Sequence, residues 1–168
     1  MKSIAVIWYS WSNGNTEKIA KMAADSLHAD MARIETETEY TGSYDEVVEQ
    51  GQHEVNSGYK PPIKPLGIHI RDYDAIVLGT PTWWYSIAPA VFTFVSGQDW
   101  HGKTVIPFQT DGGWPGHLME DIRQDCFGAD IKCPMEIRFD SQGGSIMKTP
   151  ESDIRDWIDR VRRLVTED

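Results

Sequence analysis

Stretches of apolar, β-prone residues alternate with stretches of helical period along this chain, and that alternation constrains the fold more than any other feature. Ser3 to Tyr9 (Ser-Ile-Ala-Val-Ile-Trp-Tyr) is nearly all apolar, as a central parallel strand buried on both faces must be. From about Asn15 to His28, Ile19, Ala20, Ala23, Ala24 and Leu27 recur at a helical period. A weaker strand is predicted at about Asp30 to Glu35 and a polar helix at Tyr44 to Asn56. Gly58 to Pro65, with three prolines, reads as an extended connection. The alternation then resumes, with strands at Ala75 to Leu78, Thr104 to Phe108 and about Met135 to Phe139. Helices are predicted at Pro89 to Val95, Gly116 to Phe127 and Pro150 to Val165. Thr149-Pro150-Glu151-Ser152 reads as an N-cap, an N1 proline and an acidic first turn. Strands joined through helices run parallel and carry helices on both faces. The expected fold is α/β: a doubly wound, five-stranded parallel sheet of order 2-1-3-4-5, in a single domain over residues 1–168.

Three loops leave predicted strands, and in such a sheet the ligand lies beyond the carboxyl ends where strand order reverses. Here that point falls between the first and third strands, with the fourth beside them. In the first loop, Ser10-Trp11-Ser12-Asn13-Gly14-Asn15-Thr16, the chain offers hydroxyls, amides and a glycine at the mouth of a helix. Ser10, Ser12, Asn13, Asn15 and Thr16 can donate hydrogen bonds, and the helix N-terminus favours an anion. No Lys or Arg lies in this loop, Lys18 being the nearest. It lacks both the Gly-Lys-[Ser/Thr] of a Walker loop and the three spaced glycines of a dinucleotide fingerprint. The same residues would also serve as an ordinary helix cap.

The second loop, Thr80-Pro81-Thr82-Trp83-Trp84-Tyr85, places aromatic faces at the same sheet edge, and Thr80 and Thr82 could bond a ribityl chain or a ring edge. Neighbouring side chains point apart, so one tryptophan should pack down and the other face ligand. An aromatic cluster closing the core is the alternative. In the third loop, Gln109-Thr110-Asp111-Gly112-Gly113-Trp114, the glycines allow backbone N–H groups close to a ligand and Trp114 could cover a ring face. Read without a ligand, it is a Gly-Gly turn with an exposed tryptophan. Taken together, the loops suit a flat aromatic cofactor with a phosphate tail, and FMN is the obvious candidate.

Composition narrows the rest. A net charge of −10 and a pI of about 4.9 oppose nucleic acid and anionic membranes as partners and allow a basic protein. Cys126 and Cys133 have no metal-ligand spacing, so no metal site is expected, and two cysteines suit a reducing cytoplasm. Ile4 to Tyr9 is too short for a signal segment and no apolar run would span a bilayer.

The motifs resemble those of flavodoxins. Tyr9-Ser10-Trp11-Ser12-Asn13-Gly14-Asn15-Thr16 is similar to their phosphate loop, commonly Ser/Thr-x-Thr-Gly-Asn-Thr. Gly79-Thr80-Pro81-Thr82-Trp83-Trp84 through Pro89-Ala90-Val91, with Gly102 to Phe108, resembles a bacterial subgroup with a Pro-x-Trp-Trp loop. The resemblance runs from the first strand to the last helix and implies noncovalent FMN, with Trp83 on the flavin-stacking position and Trp114 near the second one. Two positions depart from the pattern. Trp11 stands where Ser or Thr is usual, with Asn13 in place of Thr. Trp84 stands where many flavodoxins have a glycine whose peptide flips to stabilise the semiquinone, so weaker semiquinone stabilisation is expected.

With the chemistry carried by the flavin, no catalytic side chain is required. A phosphate without a cationic cradle, beside Asp111, should disfavour the anionic hydroquinone. Two functions follow: a flavodoxin-type electron carrier docking a redox partner protein, or an NAD(P)H-dependent two-electron oxidoreductase reducing a quinone or similar acceptor. The chain could be a monomer or a homodimer, and whether it is an enzyme stays open. A receiver domain would need an acidic pocket and a phosphate-accepting Asp where this chain has Tyr9-Ser10 and Gly79-Thr80, and is rejected. His117, and less so Tyr85, are the side chains to test for proton delivery. Glu120, Asp121 and Asp125 form an acidic helix face suited to solvent or a basic partner.

Overall fold

Ile4–Trp8 forms β1 at the middle of a parallel sheet, and the computed structural model describes residues 1–167. The chain continues through α1 (Asn15–Leu27), β2 (Asp30–Arg33), α2 (Tyr44–Ser57), β3 (Ala75–Trp83), β4 (Ser86–Ile87) and α3 (Pro89–Ser96). It closes with β5 (Thr104–Asp111), α4 (Leu118–Asp125), β6 (Asp130–Ile131), β7 (Met135–Arg138) and α5 (Glu151–Thr166). The sheet runs β2-β1-β3-β5, with β6 and β7 both on the free side of β5. Counting β6 and β7 as one interrupted edge, this is the expected order 2-1-3-4-5.

The interruption has a local cause. Cys133 takes a positive φ of 48° and Pro134 has no N–H to give to a ladder, so the edge strand breaks between β6 and β7. Pro107 exploits the gap: β6 pairs only as far as Val105 and β7 begins pairing at Phe108. A proline is thereby accommodated inside a central strand.

Alternate residues of the strands feed two cores. Val6, Trp8, Val77, Ile106 and Phe108 face α1 and α5, while Ala5, Ile7, Ile76, Leu78 and Val105 face α3 and α4. Trp157 of α5 is fully buried against Phe108, with ring centroids 5.7 Å apart, and its Nε1 donates to the Cys133 carbonyl at 2.7 Å. Gly79 has to be glycine for this packing, since a Cβ there would lie 2.2 Å from the Phe108 ring.

Several boundaries differ from the sequence expectation. β3 and β5 run on through Trp83 and Asp111, so much of the second and third loops is strand. Thr82 pairs with Ile87 and Trp83 with Ser86, which makes Trp84-Tyr85 a two-residue hairpin turn. Both turn residues have positive φ, 49° and 66°, as a type I′ turn demands. At α5, Pro150 occupies the capping position with ψ 138° and no side-chain cap. Thr149 instead accepts a hydrogen bond from the Arg138 N–H at 2.8 Å, fastening the end of β7. The polar α2 is fixed by a capping box between Ser43 and Glu46.

Candidate functional site

The carboxyl ends of β1, β3 and β5 border a cavity of about 330 Å³, within the usual range of small-molecule sites. At one end stands the N-terminus of α1. Gly14 caps it at φ 72° with no side-chain hydrogen bond, so the first N–H groups of α1 have no side-chain cap. Around them, Ser10, Ser12, Asn15 and Thr16 line the cavity. Thr16 and Thr110 share a buried hydroxyl hydrogen bond of 2.8 Å, which ties the first loop to β5 and leaves one of the two protons for another acceptor.

The asparagine amides do a different job. Asn13 Nδ2 donates to the Gly143 carbonyl, and Asn15 Nδ2 to the Gly144 carbonyl at 3.0 Å. They hold the loop after β7 over the first loop. Asp140 shapes that segment by accepting from the Gln142, Gly144 and Ile146 N–H groups at 2.9–3.1 Å. These bonds keep the Asp140 carboxyl below the usual carboxylate range.

Aromatic rings wall the other end. Trp83 is half-buried, its ring edge-on to Tyr9, Trp11 and Tyr40 at centroid distances of 5.9, 6.2 and 5.0 Å. Trp11, the residue that departs from the usual phosphate loop, stacks on Tyr44 of α2 at 5.9 Å and 27°. Gly51 lets α2 come close, since a Cβ there would lie 3.0 Å from the Trp83 ring. Trp84 Nε1 donates to the Val48 carbonyl at 2.7 Å, pinning the hairpin turn to α2. Tyr85 and Trp114 stand at the rim, 52% and 57% exposed. Behind Trp83, the buried Glu54 accepts from the Tyr40 hydroxyl at 3.1 Å, and burial raises its carboxyl above the ordinary value.

Asp111 ends β5 inside this cavity. Burial foremost, with the neighbouring Glu136 carboxylate, pushes its carboxyl up to about 6 against the opposing pull of the Gly113 N–H and Arg138. The Gly113 N–H donates to Asp111 at 2.7 Å.

Of the residues singled out in the sequence, Ser10, Ser12, Asn15, Thr16, Pro81, Thr82, Trp83, Trp84, Tyr85, Thr110, Asp111, Gly112 and Trp114 line the cavity. Asn13, Gly14, Thr80 and Gly113 frame it from outside. Thr80 is fully buried, donating to the Pro81 carbonyl at 2.8 Å and accepting from the Ala88 N–H at 3.3 Å. His117 stands apart from the cavity lining, its Nδ1 2.6 Å from Asp121, which also accepts from Ser86 at 2.6 Å. The sequence predicts a helix at α2, but nothing there places it, or the segment after β7, at the cavity that Tyr44, Val47, Gly51, Phe139 and Ser141 also line. The polar run and the Ser43–Glu46 capping box mark the helix, but nothing local says which of its faces meets a ligand. Sequence reading missed Arg33, whose Nη2 donates to the Ser10 carbonyl at 3.1 Å and sets a cation behind the loop.

Residues 3–161 match the sequence model of the flavodoxin family. The chain belongs to that family. FMN is the cofactor of flavodoxins, and the cavity fits it: an uncapped helix end with hydroxyls for a phosphate, and aromatic walls for the ring system. No curated protein matches the chain. Among solved structures, a flavoprotein from Lactobacillus acidophilus in complex with FMN has a TM-score of 0.73 at 18% identity, covering 94% of this flavodoxin and 99% of that chain. A protein from Bacteroides eggerthii assigned as a flavoprotein gives 0.74 at 23% identity, covering 100% of both chains. An NADH:FMN oxidoreductase in its apo form gives 0.59 at 14% identity, covering 100% of this chain and 92% of that one. At these identities the likeness is one of fold.

Proposed function

We propose that this flavodoxin transfers electrons through FMN held noncovalently in the cavity. The observation that carries the reading is the chemistry of the lining: it contains no His, Cys, Lys or Arg among the described residues, and its ionisable groups are Asp111, Asp140 and two tyrosines. Such walls bind and orient, and FMN when bound supplies the redox chemistry. The helix end, Ser10, Ser12 and Thr16 would hold the phosphate, and Trp83 would offer its face to the ring system. Asp111, buried in the same lining, would oppose the build-up of negative charge on a bound flavin. The exposed rim of Trp84, Tyr85 and Trp114 is the face a partner meets, and the acidic Glu120, Asp121 and Asp125 suit a basic redox protein.

A two-electron oxidoreductase using NAD(P)H is the second reading. Trp84 favours it: its bulky side chain is bonded to Val48, so the turn is clamped where a mobile glycine would suit a one-electron carrier. The chain acts in the cytoplasm in either case, as its two unbridged cysteines suit. No described helix is long and apolar enough to cross a membrane.

Anaerobic mixing of the FMN-loaded protein with NADH and then NADPH separates the two readings. An electron carrier keeps its oxidised flavin absorbance until a separate reductase is added. Rapid bleaching by either nucleotide alone would overturn carriage as the primary role and assign the oxidoreductase reading.

A further inference from the structure

A second cleft, of about 460 Å³, lies beside the cavity and shares none of its lining residues. Two carboxyl groups meet between them. Asp111 lines the cavity, Glu136 lines the second cleft, and the Glu136 carboxyl is within hydrogen-bond reach of Asp111. Strand register brings this about. Gln109 pairs with Glu136 and Asp111 with Arg138, and residues two apart along a strand share a face. Gln109, only 2% exposed, completes the partition. Its Nε2 is shared among the Thr82 hydroxyl and the Pro115 carbonyl, both at 3.1 Å, and Asp111 Oδ2 at 3.4 Å.

Ionised carboxylates are acceptors only, so two of them in contact repel unless one proton lies between them. The charges around the pair leave that need in place. Arg138 reaches the solvent-side member, Glu136, at 3.5 Å. His117, Glu120 and Arg123 face Glu136 across the second cleft. In the cavity, Asp140 adds a further negative charge, held by its own N–H partners, and Tyr44 and Tyr85 complete the ionisable lining. Asp111 titrates at about 6, so near neutral pH it rests mostly ionised and takes a proton once the cavity gains negative charge. We propose that Asp111 and Glu136 are a proton-holding pair: when an electron reaches a flavin bound in the cavity, one proton enters from solvent in the second cleft through Glu136 and rests on Asp111. The electron comes from the redox partner, one O–H bond forms on the carboxyl pair, and the net charge of the cavity is unchanged. Asp111 stands in the cavity, and Glu136 acts through it as a positioning residue. The proposal rests on the cavity being the FMN site.

The test follows the midpoint potential of the FMN-loaded protein from about pH 5 to about pH 9 in the natural chain, Glu136→Gln and Asp111→Asn. Above about pH 6 the natural potential should fall with pH more steeply than that of Asp111→Asn. The extra slope should reach up to about 59 mV per pH unit, the worth of a tenfold change in proton concentration for a one-electron step. Glu136→Gln removes the negative neighbour, so the onset of that slope should move to lower pH. Glu136 lies outside the cavity, so this variant should bind FMN as the natural chain does, which also shows that it is folded. In the apoprotein, the Asp111 carboxyl carbon followed by NMR should titrate at about 6, and lower in Glu136→Gln. A potential offset equally at every pH, or one profile common to all three proteins, would overturn the proposal while leaving the FMN reading intact. So would an Asp111 titration at the ordinary aspartate value, one indifferent to Glu136, or loss of FMN binding in Glu136→Gln. Failure of the natural apoprotein to bind FMN would overturn the FMN reading and the proposal with it.

Discussion

Two side chains in the cavity carry opposite consequences for binding and for stability. Trp83 meets Tyr9 and Tyr40 on its edge and so offers a ring already fixed in place. Trp83→Ala should weaken FMN binding by about 1–3 kcal/mol, the worth of one base–aromatic stacking contact, measured by fluorescence titration of the apoprotein. An unchanged dissociation constant would mean that the flavin stacks elsewhere. Asp111 works the other way. Because its folded-state carboxyl titrates at about 6, above the ordinary aspartate value, the folded chain holds a proton that the unfolded chain has released. Stability from this group is complete below the ordinary value and is lost as pH rises to about 6 and beyond. Asp111→Asn keeps the acceptor for the Gly113 N–H and removes the titration. Its urea midpoint should therefore gain on that of the natural chain between about pH 4.5 and about pH 7.5.

At the scale of elements, β3 and the segment after β7 set the shape of the site. β3 leans on β5 through Gly79 beneath the Phe108 ring, and the fully buried Phe108 has nowhere to retreat because Trp157 lies behind it. Gly79→Ala should cost about 1–3 kcal/mol, the usual penalty of overpacking a close-packed core, and lower the thermal midpoint. The segment after β7 depends instead on Asp140 and its three backbone partners. Asp140→Ala should speed amide exchange over residues 142–146 and raise the FMN dissociation rate, with the sheet amides still protected. Unchanged exchange there would remove the role given to that carboxylate.

For the molecule as a whole, the decisive quantity is the charge of −10. If the carrier reading holds, reduction of a basic acceptor such as cytochrome c by the reduced holoprotein should be fast at low salt. The rate should fall steeply once the screening length shrinks to about 8 Å near physiological ionic strength. A rate indifferent to salt would argue for a small neutral acceptor.

The repeating apolar runs and helical periods determined the α/β class, because burial on both faces of a parallel sheet forces that pattern on any sequence that adopts it. The strand order followed from the flavodoxin-like topology, one of several that share this alternation. The first loop was legible as a strand-to-helix turn rich in small polar residues, a pattern that serves an ordinary helix cap as well as an anion site. Where strands ended was not legible, since Thr80 to Trp83 and Gln109 to Asp111 look like loop until a neighbouring strand pairs with them. Nor does local sequence say that Thr149 would serve β7 rather than cap α5. Tyr44, Arg33 and Gly144 lie far along the chain from the loop they meet. Local periodicity determines which segments fold and which face they bury; only the tertiary structure decides which distant segments close over the cavity, because those contacts are made across the packed sheet rather than along the chain.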